Sequence, residues 1–174
     1  MKNYFHHSSE RLNFRALTKE DIPVWVPFFE NNDRLRFFGF DETKSHEELS
    51  RDWIERQLLR YEESGLGMLA VIEASSNQLI GLAGIIPRDF EDTILYEIGY
   101  SLLQSHWGKG YASEAAQHFR KVGTELGITK VFVSTIHPEN TDSMKVAERN
   151  GMKALRNGVF NEMELVIFGD EGVF

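Results

Sequence analysis

The chain has 174 residues, of which 41% are hydrophobic, and a formal net charge of −8. This length can bury one hydrophobic core, and we expect residues 1–174 to form one α/β domain. The acidic balance argues against a nucleic-acid binder, and the lack of cysteine excludes disulfides and thiolate chemistry. Because the sequence lacks both a membrane-spanning apolar run and the apolar stretch of a signal peptide, we expect a soluble cytoplasmic protein with no membrane partner.

The N-terminal part of the sequence predicts a strand followed by two helices. Residues 10–17 alternate in polarity as a strand does. The segment Thr18-Lys-Glu-Asp21 has the pattern of a capping box and predicts a helix to about Phe29. A second capping box at Ser45-His-Glu-Glu48 predicts another helix that ends near Gly65.

The next segments predict an antiparallel hairpin and then a third strand. Strand-like runs at 68–74 and 79–86 are joined by Ser75-Ser-Asn-Gln78, which is typical of a hairpin turn. A third strand begins near Ile94. The first half of the sheet is therefore predicted to be antiparallel.

The second half of the sequence changes to an order of strand, helix and strand. A helix at 111–126 between strands at 94–103 and 130–136 predicts a βαβ unit with parallel strands and a right-handed crossover. A short helix at 141–149 and a terminal hairpin of strands 152–157 and 162–168 follow. The sequence thus predicts a mixed sheet with helices on both faces, and the edge of the terminal hairpin could support a homodimer.

The segment Ser105-His-Trp-Gly-Lys-Gly110 joins the third strand to its helix. Glycines at 108 and 110 would let a ligand approach the main chain, and the amides of residues 106–111 could converge on a diphosphate at the helix N-terminus. Lys109 and His106 could add positive charge. The alternative is a tight turn that binds nothing.

Two familiar phosphate-binding loops do not fit this turn. A Walker A loop requires Gly and Ser or Thr where this chain has Leu103 and Gly110. The dinucleotide fingerprint requires a third Gly where Ser113 stands. Hydrolysis of nucleoside triphosphates and dinucleotide binding are therefore disfavoured.

Five segments resemble motifs of the GNAT superfamily of N-acetyltransferases, in particular its branch of ribosomal-protein N-terminal acetyltransferases (RimJ/RimL-like). In chain order they are Glu10-Arg-Leu-Asn-Phe-Arg-Ala-Leu-Thr-Lys-Glu-Asp21, Glu97-Ile-Gly-Tyr100, Trp107-Gly-Lys-Gly-Tyr-Ala112, Asn140-Thr-Asp-Ser143 and Asn150-Gly-Met152. The chain departs from the family at Ser105, where Gln or Arg is usual, and at Met152, where an aromatic residue commonly follows Gly.

The resemblance implies one N-acetyltransferase domain that moves an acetyl group from acetyl-CoA to a primary amine, with no acyl-enzyme. The acceptor would be a protein N-terminal amine or a small amine. The residues implied to bind the cofactor are Ile98, Gly99, Tyr100, His106, Trp107, Gly108, Lys109, Gly110, Tyr111, Ala112, Asn140 and Ser143. Backbone N–H groups near Ile98 to Tyr100 would stabilise the oxyanion.

Catalytic roles follow for Glu97 and Ser143. Glu97 is the candidate general base, directly or through water, and the alternative is a carboxylate paired with Arg or Lys across the sheet. Ser143 could protonate or hydrogen-bond the departing sulfur. Asn140 could contact the cofactor, only cap the helix that starts at Thr141, or do both.

Gly99, in the middle of a strand, indicates either a bulge or the close approach of a ligand. In the family a bulge here separates two parallel strands and admits the pantetheine arm of the cofactor. Strand alternation places Leu95, Glu97, Gly99 and Ser101 on one face of the sheet.

Other conspicuous residues have simpler interpretations. The histidines lack ligand spacing, so we expect no metal, and His6 and His7 are expected in a mobile N-terminus. The aromatic segment from Phe28 to Phe40 is expected to pack in the core or to line the acceptor pocket. Nearby acids could attract a cationic amine or only face solvent; they are Asp33, Asp41, Glu42, Glu47 and Glu48. Alternatives to an enzyme are a coenzyme A binding or sensing module without turnover and a purely structural protein.

Overall fold

The computed structural model describes residues 3–160 and 162–174. Its strands are β1 His6–Ser8, β2 Leu12–Arg15, β3 Gly67–Glu73, β4 Gln78–Phe90, β5 Thr93–Leu102, β6 Val133–Ile136, β7 Lys153–Phe160 and β8 Met163–Gly169. Its α-helices are α1 Ile22–Trp25, α2 His46–Ser64, α3 Tyr111–Glu125 and α4 Thr141–Arg149. Short 3-10 turns cover Lys19–Asp21, Val26–Phe29, Asp33–Phe37 and Gln104–His106.

The strands form one mixed sheet in the order β1-β2-β3-β4-β5-β6-β8-β7. Neighbouring strands are antiparallel except β5 and β6, which are parallel and joined through α3. The predicted mixed sheet with its parallel βαβ unit is confirmed.

Helices cover both faces of the sheet because the strands are apolar on each side. On one face, α3 buries Ala115 and Phe119 in a cluster that includes Ile98 of β5. On the other face, Trp25 of α1 and Ile54 of α2 belong to a separate buried cluster. Two cores are thus built on the two sides of one sheet, as side chains that alternate along a strand require.

The predicted continuous helix from Thr18 to Phe29 is wrong. The segment instead consists of a 3-10 turn, the short helix α1 and a second 3-10 turn. The start is as expected, since the Thr18 amide donates to Asp21 Oδ2 at 2.9 Å. Pro27 lacks the N–H that would bond the carbonyl of Pro23, so a regular α-helix cannot continue there.

The N-terminal residues are also more ordered than the sequence predicts. His6–Ser8 form β1, which pairs with β2 in the register His6 with Arg15. Tyr4 is buried, and its hydroxyl donates to Gly67 O at 2.6 Å. The expected mobility of His6 and His7 is therefore wrong.

The long helices begin and end where their capping residues predict. At the start of α2, Glu48 N donates to Ser45 Oγ at 3.2 Å, and Ser45 N donates to Glu48 Oε2 at 2.8 Å. Gly65 follows the last turn with φ of 69°. Gly127 has φ of 74° after α3, a left-handed conformation that suits glycine.

The strands β5 and β6 separate soon after they meet. Their register pair is Glu97 with Val133, and just beyond it Ser134 Oγ donates to Ile98 O at 3.0 Å. The register of β5 with β4 continues from Phe90–Thr93 to Gly81–Leu102 without a shift. The strands thus diverge as the family resemblance implies, but the bulge expected at Gly99 does not occur in the pairing with β4.

The C-terminal hairpin adds the last two strands, with β8 beside β6 and β7 at the sheet edge. Pairing of two copies along this edge stays a prediction. Among the helices of the described residues, none combines the length and apolar character needed to cross a membrane.

Replacing Gly84 with Ala tests the close packing of the central strands. A Cβ at Gly84 would overlap the backbone oxygen of Gly67, which cannot move without disturbing β3. We expect Gly84→Ala to lower the free energy of unfolding by at least about 2 kcal/mol in urea denaturation. The matched control is Gly99→Ala, because Gly99 pairs with Gly84 and its Cβ would meet first the flexible Ile86 Cδ1, at 2.9 Å. Equal losses in the two variants would contradict this account.

Two histidines predict how stability depends on pH. His118 Nε2 and His7 Nδ1 lie 2.8 Å apart, and the His118 ring stacks on Phe14. Burial, together with the charge of His118, lowers the pKa of His7 from 6.5 to about 4. Burial and the charge of Lys121 lower the pKa of His118.

Because the unfolded chain takes up these protons more readily, stability is lost as the pH falls from about 6.5 to about 4. We expect the free energy of unfolding to fall between pH 7 and pH 4.5 by about 1–2 kcal/mol more in wild type than in His7→Phe. The exposed His46 provides the control variant, His46→Gln, which should keep the wild-type slope. A His7→Phe slope equal to that of wild type would refute the assignment.

Candidate active site

A cavity of about 570 Å³ lies beside the end of β5, the turn into α3 and the start of α4. Nine of the residues expected at the site line it, namely Tyr100, His106, Trp107, Gly108, Gly110, Tyr111, Ala112, Asn140 and Ser143. Outside the lining are Glu97, Ile98, Gly99 and Lys109. The structure thus brings the turn and the Asn140-Ser143 segment together around one space.

The first turn of α3 leaves backbone amides at the cavity. The first hydrogen bond of the helix runs from Glu114 N to Gly110 O at 3.0 Å. The amides of residues 111–113 therefore have no carbonyl acceptor within the helix. Gly108 and Gly110 have φ of 72° and 81°, and a Cβ at Gly108 would meet open space. The buried Oγ of Ser113 has no hydrogen-bond partner among the described residues. This end of the helix therefore offers donors to an anion.

Two amides that the sequence predicts to be free are not. His106 N donates to Leu103 O at 2.9 Å, and Trp107 N donates to Gln104 O at 3.1 Å. These bonds close a 3-10 turn before the glycines. The side chains of His106 and Trp107 still line the cavity.

Arg11 of the N-terminal segment holds the turn against α3. Its Nη1 donates to Lys109 O at 3.0 Å, and its Nε lies 2.7 Å from Glu114 Oε2. Its guanidinium also lies over the Tyr111 ring, 4.5 Å from the centroid. The hydroxyl of Tyr111 donates to Glu73 Oε1 at 2.5 Å, which raises the pKa of Tyr111. These contacts fix the backbone of the turn from outside the cavity.

The described lining of the cavity carries more positive than negative charge. Arg34, Lys145 and Arg149 line it, together with a single carboxylate, Asp142. Asp142 pairs with Arg34 and lies 3.8 Å from Lys145 Nζ. A groove rich in cations in a chain of net charge −8 favours an anionic ligand.

Two hydroxyl groups meet on the wall between β5 and α4. The oxygens Tyr100 Oη and Ser143 Oγ are 3.0 Å apart, and Tyr100 Oη also donates to Ser143 O at 3.0 Å. Burial raises the pKa of Tyr100 to about 12, although the hydrogen bond with Ser143 acts in the opposite direction. Tyr100 therefore keeps its proton near neutral pH and can donate it in a hydrogen bond.

Asn140 caps α4 as the sequence predicts. Its Oδ1 accepts from Ser143 N at 3.2 Å, while the residue also lines the cavity. Capping uses the amide oxygen and leaves the NH₂ group as a donor. Both interpretations of Asn140 are therefore compatible with its position.

Glu97 forms an ion pair with an arginine across the sheet, which the sequence analysis gave as the alternative to a general base. Its Oε2 pairs with Arg88 Nε across the sheet, and its Oε1 accepts from Thr135 Oγ1 at 2.8 Å. The residue is only 6% exposed. Its role as a general base stays a prediction.

The aromatic segment after α1 divides between core and cavity. Phe28 and Phe38 line the cavity, and their rings lie 5.9 Å apart between centroids. Phe29 and Phe40 pack on Trp53 of α2. The expected core packing is therefore present, and a role in binding the acceptor stays a prediction.

Several lining residues were not singled out by the sequence as site residues, among them Arg34, Ser113, Lys145 and Arg149. Lys145 and Arg149 are one helical turn apart in α4, just after the Asn140-Ser143 motif, and this spacing could have indicated them. Arg34 lies in the 3-10 turn Asp33–Phe37, which has no such pattern. Within the described ranges, no group of three or more His, Asp or Glu side chains is placed to hold a metal ion.

The protein-family model for the acetyltransferase (GNAT) domain matches residues 11–153 of the chain. The chain belongs to the GNAT acetyltransferase family. The predicted family membership is confirmed, and this GNAT protein is an acyltransferase. The match covers the turn, α3 and α4, which carry most of the cavity wall.

The matches to similar known proteins cover most of both chains. The "Uncharacterized N-acetyltransferase p20" of Bacillus licheniformis is 28% identical over 157 residues, which cover 90% of this chain and 85% of that protein. An acetyltransferase structure from Agrobacterium tumefaciens is 25% identical with a TM-score of 0.78, and the match covers 95% and 94% of the two chains.

RimL, a ribosomal L7/L12 alpha-N-protein acetyltransferase solved in complex with coenzyme A, has a TM-score of 0.75 at 18% identity, with 93% of this chain and 94% of RimL covered. At this identity the likeness shows a common fold. The predicted GNAT fold is confirmed.

Proposed function

We propose that the chain transfers the acetyl group of acetyl-CoA directly to a primary amine, which is either a protein N-terminal amine or a small amine. The observation that carries the proposal is the cavity itself. It joins the amides at the start of α3, three cationic side chains and the paired hydroxyls of Tyr100 and Ser143. The RimL structure with coenzyme A supports the choice of cofactor at the level of the fold.

The residues present fit a coenzyme A thioester. The amides of residues 111–113 would hold the diphosphate, and Gly108 leaves the main chain accessible because a Cβ there would meet open space. Lys145 and Arg149 of α4 would add positive charge to the cavity lining. Ile98, Gly99 and Tyr100 would run beside the pantetheine arm where β5 leaves β6.

The chemistry needs a neutral amine and a proton for the leaving thiolate. Acetyl-CoA supplies the thioester, which the amine attacks without an acyl-enzyme. Glu97 would accept the amine proton through water, because its side chain lies outside the cavity lining. The hydroxyls of Tyr100 and Ser143 would donate toward the sulfur.

The acceptor would enter beside the aromatic residues Phe28 and Phe38. The acidic residues near this segment contribute less to attraction than their number suggests. Asp41 accepts from Thr43 N at 3.0 Å, and Glu48 caps α2. Both carboxylates stabilise local turns, so we propose that acceptor selection depends on pocket shape more than on these charges.

A thiol-release assay tests the proposal directly. The purified chain is mixed with acetyl-CoA and a panel of peptides with free N-termini and small primary amines, and released coenzyme A is measured with a thiol reagent. Acceptor-dependent release that saturates with acetyl-CoA is expected. A panel without release, together with a thermal shift by coenzyme A, would instead favour the binding or sensing module, and the lack of any shift would refute coenzyme A recognition.

Glu97→Gln tests the base. We expect kcat to fall about 100-fold with the coenzyme A dissociation constant unchanged, and the acidic limb of the pH profile to flatten, because an amide cannot accept the amine proton. The matched control is Thr135→Val, which removes the hydrogen bond to Glu97 and keeps its carboxylate. If both variants lose activity only in proportion to their unfolded fraction, Glu97 is a structural partner of Arg88.

Tyr100→Phe tests the hydroxyl pair. The change removes the group that contacts Ser143 and keeps the ring that packs against the α3 core. We expect kcat to fall about tenfold or more with little change in coenzyme A affinity, since a proton donor acts on the leaving group. Measuring kcat for a thioester with a more acidic thiol provides the check, because a better leaving group should reduce the difference. An unchanged kcat would exclude this role.

A further inference from the structure

The segment from Glu30 to Gly39 crosses the cavity and contacts both halves of the divided sheet. At its start, Gln104 Nε2, just after β5, donates to Glu30 O at 2.7 Å. Further on, the Phe37 ring lies 4.9 Å from that of His137, just after β6. The segment therefore spans the gap between β5 and β6.

Arg34 is the charged residue of this segment that lines the cavity. Its guanidinium carbon is 3.6 Å from the centroid of the Trp107 ring, and its Nη2 pairs with Asp142 Oδ2 in the first turn of α4. The turn that carries it is fixed, because Asn32 is buried, accepts from Arg34 N at 3.0 Å and donates to Phe28 O at 2.9 Å. A guanidinium is thus held over the turn that leads to the open amides of α3.

We propose that Arg34 is a further cofactor-binding residue, whose guanidinium exchanges the Asp142 carboxylate for a phosphate of coenzyme A. The inference rests on the proposed function. Asp142 then acts as an internal competitor that neutralises Arg34 and Lys145 while no ligand is bound. Guanidinium groups bind phosphate and carboxylate in the same two-pronged way, so one replaces the other without moving the stacked side chain.

The exchange links cofactor binding to the segment that carries Arg34. In the structure Arg34 bridges to α4, and with a bound ligand it would bridge to the phosphate above the start of α3. The ion pair with Asp142 is partly exposed, with side-chain exposures of 31% for Arg34 and 54% for Asp142, so it costs little to break. Phosphate that is also held by the α3 amides would therefore displace the carboxylate.

Calorimetric titration of the full chain with coenzyme A tests the exchange. We expect Arg34→Ala to weaken binding about tenfold or more, and Arg34→Lys to restore only part of it, because an ammonium cannot bind in two prongs. Asp142→Asn should have the opposite sign and tighten binding about two- to tenfold, with a smaller gain in the Arg34→Ala background. Weaker binding by Asp142→Asn would overturn the competitor role, and unchanged binding by Arg34→Ala would overturn the proposal.

The matched control is Arg36→Ala. Arg36 lies in the same 3-10 turn and forms a 3.7 Å ion pair with Glu139, but it does not line the cavity. Its loss should leave the dissociation constant unchanged, and a loss equal to that of Arg34→Ala would overturn a specific role for Arg34.

Shorter ligands identify the phosphate and separate the two proposals. If Arg34 contacts the diphosphate, Arg34→Ala should weaken the binding of 3′-dephospho-coenzyme A and of coenzyme A equally. If Arg34 contacts the 3′-phosphate, the substitution should leave the binding of the dephosphorylated ligand unchanged. An equal loss with pantetheine, which lacks phosphate, would overturn the exchange. No binding of coenzyme A by wild type would refute the proposed function itself, whereas normal wild-type binding with an unaffected Arg34→Ala would refute only this inference.

Discussion

The separation of β5 from β6 is the feature on which the site depends. Each strand keeps its other partner while the two diverge, since β5 remains paired with β4 as far as Leu102 and β6 remains paired with β8 as far as Ile136. Because β5 and β6 are parallel, their carboxyl ends lie at the same edge of the sheet. The chain continues from those ends into α3 and α4, so both helix N-termini adjoin the gap. The topology alone therefore places two sets of backbone donors beside one cavity.

The charge distribution agrees with this geometry. Acidic residues give the chain its net charge of −8, yet the described cavity lining has three Lys or Arg side chains and one carboxylate. Several acids elsewhere are committed to local contacts, such as Glu48 at the start of α2 and Glu114 with Arg11. A positive groove on a negative molecule concentrates an anionic ligand at the gap and repels it from the rest of the surface. The field therefore favours the cofactor more than a cationic acceptor.

Features set by neighbouring residues could be predicted from the sequence. The caps by Ser45 and Asn140 depend on groups three residues away, and the succession of strand and helix patterns predicted the antiparallel first half and the parallel βαβ unit of the sheet. The prediction of a continuous helix to Phe29 was wrong because it followed the helical pattern and did not allow for the backbone N–H that Pro27 lacks. The strand β1 was missed because its three residues have no pattern of their own until they pair with β2.

The contacts that complete the site join residues far apart in the sequence. Arg34 meets Asp142 across 108 positions, and Tyr100 meets Ser143 across 43. No spacing rule relates such pairs, since they depend on where the sheet divides. Local structure was also incompletely predicted, because the amides of His106 and Trp107 donate hydrogen bonds within a 3-10 turn that precedes the glycines. The sequence therefore indicated the elements of the site more completely than their side-chain partners.

On the proposed function, the arginines near Glu97 would also favour the neutral form of the acceptor amine. Arg88 pairs with Glu97, and burial, followed by the charges of Arg88 and Arg56, lowers the pKa of Arg60 to about 10. The arginines Arg56, Arg60 and Arg88 thus interact with one another here, while Glu97 and Glu63 act on the pKa of Arg60 in the opposite direction. On the proposed function, the same field disfavours the ammonium form of an amine bound nearby and favours the neutral nucleophile. Deprotonation of the acceptor would then depend on a cluster of arginines as well as on the proposed base, and losing Glu97 would leave that part of the effect in place.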